Sequence, residues 1–137
     1  MTGRLSFGVV GFLVASSLCA DDLTGVDAFL CAAVQAAVCK AEGECASGPP
    51  WNWDVPQFVE IDLKKGVLAT TEASGEDRST PIRNQERTEG KIFLQGVQLG
   101  RAFSFVINEQ TGIASAAIAA DGLTVTVFAA CTPTKRR

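Results

Sequence analysis

Residues 90–131, GKIFLQGVQLGRAFSFVINEQTGIASAAIAADGLTVTVFAAC, leave little choice of secondary structure. Three turn signals cut this stretch into apolar runs of strand length. Gln98-Leu99-Gly100 is the first. In Asn108-Glu109-Gln110-Thr111-Gly112, asparagine opens a turn and glycine takes the positive φ that ends it. Asp121-Gly122, set between apolar runs, is among the strongest hairpin signals. The spacing predicts four successive antiparallel strands, a meander that ends on Cys131. Phe103, Phe105 and Ile107 share one face of their strand, and Leu123, Val125 and Val127 one face of theirs. Ile113–Ala120 is rich in alanine, which predicts either a second layer at close approach or a tightly curved sheet.

Upstream, Val59, Ile61 and Leu63 alternate with Phe58, Glu60, Asp62 and Lys64, the pattern of a strand wet on one face. Lys64-Lys65-Gly66 turns the chain into a second strand, Val67–Thr71. Residues Glu72–Glu89 are polar, with Ile82 the single bulky apolar side chain. They predict a mobile loop over 74–79 and a short strand over 80–84, where Pro81 suits a sheet edge. The sum is an all-β chain of about eight short antiparallel strands, a small barrel or a two-layer sandwich. Closure into a barrel would also remove exposed edges.

Before these strands the reading divides. Thr24-Gly25-Val26-Asp27 has the form of a helix capping box, and Val26, Leu30, Ala33, Val34, Ala37 and Val38 fall on helical spacing. A short helix over 26–37 is one expectation. The other is an extended segment through Phe29-Leu30-Cys31 and a small hairpin over 38–45. Ala46–Pro56 follows as a connector, kept from regular structure by Gly48, Pro49, Pro50 and Pro56.

The first twenty residues read as an export signal. Arg4 gives a basic start, Leu5–Leu18 is an uncharged apolar run, and Cys19-Ala20 precedes Asp21-Asp22. The apolar run is shorter than the roughly 20 residues of a membrane span, so removal after Ala20 and no stable membrane insertion are expected. The expected mature domain is 21–137, periplasmic or secreted. Without Arg4 it carries 11 basic side chains against 15 acidic ones, a net charge of −4. That argues against a nucleic-acid partner, which selects a basic stripe. Of five cysteines, Cys19 falls in the leader, leaving Cys31, Cys39, Cys45 and Cys131. An even count in a small exported domain reads as two disulfides with three possible pairings. The pairing chosen is Cys39–Cys45, which closes a tight loop around Glu42-Gly43, with Cys31–Cys131, which ties the N-terminal segment to the last strand. A zinc site is disfavoured because the chain has no histidine and no Cys-x-x-Cys spacing.

The catalytic vocabulary is thin. Histidine and tyrosine are both missing from the sequence, which removes histidine-based triads. Gly96 and Gly100 stand apart without a following Gly-Lys-Ser/Thr, so no phosphate-cradling loop is read. Glu60 and Asp62 share a strand face, but Lys64 on the same face opposes the raised pKa that a general acid needs. A carboxylate hydrolase is therefore the least favoured reading, and neither cofactor nor metal is expected. Trp51 and Trp53, two apart in an extended connector, would present both rings on one side. They either cover an open end of the sheet or form an aromatic platform. Arg78, Arg83 and Arg87 offer a partner three guanidinium groups.

Taken together, Cys-(x7)-Cys-(x5)-Cys, Val-Pro-Gln-Phe-Val-Glu-Ile-Asp-Leu at 55–63, Thr-Pro-Ile-Arg at 80–83, Leu-Gln-Gly-Val-Gln-Leu-Gly-Arg-Ala-Phe-Ser at 94–104, Ile-Asn-Glu-Gln-Thr-Gly at 107–112 and Phe-Ala-Ala-Cys-Thr-Pro at 128–133 resemble a family of small, uncharacterised exported bacterial proteins. The resemblance implies export and β-structure and carries no mechanism. The architecture is also similar to that of the small-barrel periplasmic lysozyme inhibitors, which tie an early cysteine to one near the end. Their Ser-Gly-x-x-Tyr loop has only a partial counterpart in Ser74-Gly75-Glu76-Asp77-Arg78, which lacks the tyrosine. The expectation is a non-catalytic binding module for a protein or envelope component, with inhibition of a cell-wall hydrolase as the alternative.

Overall fold

A computed structural model describes residues 21–74 and 77–134. The expected leader (1–20), part of the expected 74–79 loop and the final Lys135-Arg136-Arg137 lie outside the described residues. The described chain forms one antiparallel sheet of ten strands curled into a half-barrel. The strands are β1 (Ala28–Lys40), β2 (Cys45–Gly48), β3 (Phe58–Asp62), β4 (Val67–Thr70), β5 (Ser79–Pro81), β6 (Asn84–Thr88), β7 (Lys91–Gln98), β8 (Arg101–Asn108), β9 (Ile113–Ala120) and β10 (Leu123–Pro133). Their order across the sheet is β5-β4-β3-β1-β10-β9-β8-β7-β6, with β2 also paired to β1. The two end strands, β5 and β6, are consecutive in sequence and joined by Ile82-Arg83 alone. The Ile82 N–H donates to Gly66 O and the Arg83 N–H to Gln95 O, both at 2.8 Å. One short stretch of chain thus meets both ends of the curl.

The meander β7–β10 has its turns where the residues demand them. Leu99 and Gly100 both have positive φ (51° and 74°), the backbone of a two-residue hairpin turn. Asn108 Oδ1 accepts from the N–H groups of Gln110 and Thr111 at 3.0 and 3.1 Å, and Gly112 follows at φ 68°.

The first strand corrects the helix expectation. Residues 28–40 form one strand of 13 residues, paired on one side with β10 and on the other with β3 and β2. Between Ala33 and Gln35 the register shifts by a β-bulge. The bulge moves the inward face from Phe29, Cys31 and Ala33 to Ala36 and Val38. The inward residues therefore step by two, two, three and two, and the step of three imitates a helical period. Val34, at the bulge itself, is 62% exposed. The hairpin alternative is the observed one: Cys39 stands opposite Cys45, and the Lys40 N–H donates to Glu44 O at 2.8 Å.

The curl is packed solid at one end. Phe29, Ile61, Ile92, Leu94 and Ile107 are each at most 1% exposed. The N-terminal segment seals this end. Leu23 is fully buried in the cluster, its N–H donates to Glu109 O, and the Asp21 N–H donates to Cys131 O. The Asp22 carboxyl, held below the usual range by the Thr24 hydroxyl and then by the Thr24 N–H, fixes the turn beside it. The structure joins Cys31 to Cys131 inside the curl, where the two residues are a register pair, and Cys39 to Cys45 at the opposite end of β1. Disulfides of this kind persist in oxidising, non-cytoplasmic compartments. Among the described residues no helix is long and apolar enough to cross a membrane.

Candidate functional site

The other end of the curl is open, and the reason lies in side-chain size. The inward positions of β9 are Ala114, Ala116, Ile118 and Ala120, three alanines among four. Ala33 and Ala129 face them from β1 and β10. These methyl groups do not reach the axis of the curl, and a cavity of about 240 Å³ remains. The alanine-rich strand thus lines a hollow, and among the described residues no second layer packs there. Were it closed and dry, such a void would cost about 6 kcal/mol at ~24 cal/mol per Å³. That is a large share of the usual net stability of a domain. An apolar guest that fills it recovers contacts the alanines cannot make.

The Cys31–Cys131 bridge and Ile61 lie toward the sealed end, and Phe103, Phe105, Val125 and Leu123 line the walls toward the mouth. Phe103 and Phe105 meet edge to face, with ring centroids 5.6 Å apart and planes at 67°. The polar lining comprises Asp54, Thr70, Arg78, Thr80, Gln98 and Arg101. The Thr80 hydroxyl and the Gln98 side chain bond each other, and Gln98 Nε2 donates to Ser79 O at 3.0 Å. This contact ties β5 to β7 across the curl at the mouth.

The two tryptophans part company. Pro50–Trp53 is a one-turn 3-10 helix where an extended connector was expected. At three residues per turn, positions two apart point in different directions. Trp51 is 65% exposed, whereas Trp53 lies over Gly48, packs against the buried cluster of Ala36, Ala116 and Val127, and lines the hollow. Asp54 then caps the turn at φ 59°, its N–H donating to Pro50 O.

The arginines are distributed over the whole molecule. Arg78 lines the hollow, and its backbone is fixed by the N–H of Thr70 donating to Arg78 O and its own N–H donating to Thr70 Oγ1, both at 2.9 Å. Arg83 is exposed on the β5–β6 link. Arg87 belongs to the sealed end. Its guanidinium pairs with Glu109, which is 8% exposed, with Asp27 at 3.2 Å, and with the carbonyl of Val26. Of Trp51, Trp53, Arg78, Arg83 and Arg87, the fold therefore brings only Trp53 and Arg78 to one cavity.

No protein-family model, curated protein or solved structure matches this chain. The site is read from its own geometry.

Five polar lining residues escaped the sequence reading: Asp54, Thr70, Thr80, Gln98 and Arg101. Arg101 left a signal. It has the strand parity of Phe103, Phe105 and Ile107, so the alternation that buries those rings also sends residue 101 to the inner face. Ser74 and Glu60 play other parts. The Ser74 hydroxyl bonds the backbone of Phe58 at both N–H and C=O, and Glu60 is exposed.

Proposed function

We propose that this chain is an exported, non-catalytic binding module, periplasmic or secreted, that holds a small apolar molecule in its half-barrel. The observation that carries this reading is the hollow itself: about 240 Å³, walled by hydrocarbon and open at one end of a disulfide-braced sheet. Ligand pockets are mostly apolar clefts with a few placed polar groups, and this cavity has that character. The leader-like first twenty residues support export. The envelope component expected of such a protein is, on this reading, a small molecule taken up from its surroundings.

The experiment uses Trp53 as the reporter. The chain has two tryptophans, so Trp51→Phe leaves the indole at the cavity alone. Titration with 1-octanol should shift the Trp53 emission saturably and raise the melting temperature, since a ligand that binds the folded state stabilises it. Ala120→Phe, placed at the half-buried lining position near the mouth, should fold and lose both responses. An unchanged spectrum and melting temperature at saturating 1-octanol would overturn the reading.

A further inference from the structure

We infer that the natural occupant is a free single-chain carboxylate of medium length, its chain in the hollow and its carboxylate on Arg101. This rests on the binding reading above and names the ligand class. The first observation is capacity. At ~30 Å³ per methylene-sized group, about 240 Å³ admits about eight such groups, one short chain. The second is direction. Leu23 and the packed core seal one end, so a polar headgroup has to remain at the mouth. The third is charge. Arg78 and Arg101 line the cavity, and Asp54 is the one carboxylate among its lining residues.

Arg101 is the better placed of the two guanidiniums for this task. It stands at the top of the wall formed by Phe103 and Phe105, and among the described residues no carboxylate ion-pairs with it. The neighbouring Thr80 and Gln98 side chains already bond each other. A guanidinium presents a planar fork that matches a carboxylate with two parallel N–H donors. A cationic headgroup would be repelled there, and a neutral hydroxyl would forgo the charge.

Titration calorimetry of the protein with octanoate and with 1-octanol, at pH 7 and low salt, tests the inference. Octanoate should bind about fivefold more tightly than the alcohol, a modest preference because the arginine is exposed. Arg101→Gln should abolish the preference, octanoate and 1-octanol then binding alike. Asp54→Asn should enlarge it, and asparagine tolerates the left-handed backbone at that position. Equal affinities in the unmodified protein, or a preference that survives Arg101→Gln, would overturn the headgroup assignment while leaving the hollow as an apolar site. Failure of both compounds to bind would remove the binding reading itself. Phosphatidylglycerol vesicles offer negative charge with their chains held in a bilayer, and the protein should not float with them. Flotation that depends on Arg101 would move the site to a membrane surface and overturn the inference.

Discussion

Gly96 and Phe103 face each other across the β7–β8 pair, and the Phe103 ring occupies the place a Gly96 side chain would take. A Cβ at position 96 would lie 2.7 Å from Phe103 Cε1 and 2.9 Å from Pro81 O. The ring can turn aside, but the Pro81 carbonyl is backbone and belongs to the strand at the far end of the sheet order. The missing side chain is what lets β5 approach β7. Gly96→Ala should therefore destabilise the fold by about 1–3 kcal/mol, the usual range for overpacking, read as a lower urea midpoint. Adding Phe103→Leu should recover part of that loss and not all of it, because the contact with Pro81 remains.

The two disulfides should differ in weight. Cys31 and Cys131 lie 100 residues apart and Cys39 and Cys45 only 6. In the chain-entropy model the first contributes about 4–5 kcal/mol and the second about 2 kcal/mol. Alanine replacement of each pair, followed by denaturant unfolding, should give losses in that order. Cys45 is exposed and Cys131 is 1% exposed, so mild reductant should open the short loop first.

Arg87 should matter for stability and leave binding untouched. Arg87→Gln strands the carboxylate of Glu109 among buried neighbours. Removing a partner from a fully buried pair costs 3–5 kcal/mol, and with the arginine side chain 33% exposed a loss of about 2 kcal/mol is expected. The melting temperature should fall, while the Trp53 response to 1-octanol should persist below the transition.

Leu23 carries the seal. It is fully buried, and Leu23→Ala should cost about 3 kcal/mol, within the range for a buried leucine. The effect should be insensitive to pH between 5 and 8. The neighbouring Asp22 carboxyl is held below its ordinary 3.8, so whatever it adds is present above that value and is lost only as pH falls through the lower folded one. Urea midpoints at pH 5 and pH 8 check this.

Much of the fold was legible because it rests on local chemistry. Asn108 and Gly112, Leu99-Gly100 and Asp121-Gly122 specify turns by their own backbone preferences, and alternation between them specifies strands. β6 was not legible: Asn84–Thr88 is exposed at every position and pairs with β7 along its backbone, which leaves no apolar period to read. β1 was read two ways, as a helix or as an extended segment with a hairpin, because a single bulge inserts a step of three into a period of two.

By itself, the sequence determined the all-β class, the positions of the meander turns and the lack of any histidine chemistry. These follow from side-chain size, charge and φ preference, which act within a few residues of chain. The tertiary structure decided that Arg101, Asp54, Trp53 and Arg78 share one cavity while Arg83 and Arg87 lie elsewhere. It also decided that the alanines of β9 face a hollow. Those outcomes depend on how far a ten-stranded sheet curls and on which strands its ends bring together. The contacts that set the curl, such as Gly96 with Phe103 and Pro81, and Thr80 with Gln98, join residues on different strands of the sheet, where no local preference reaches.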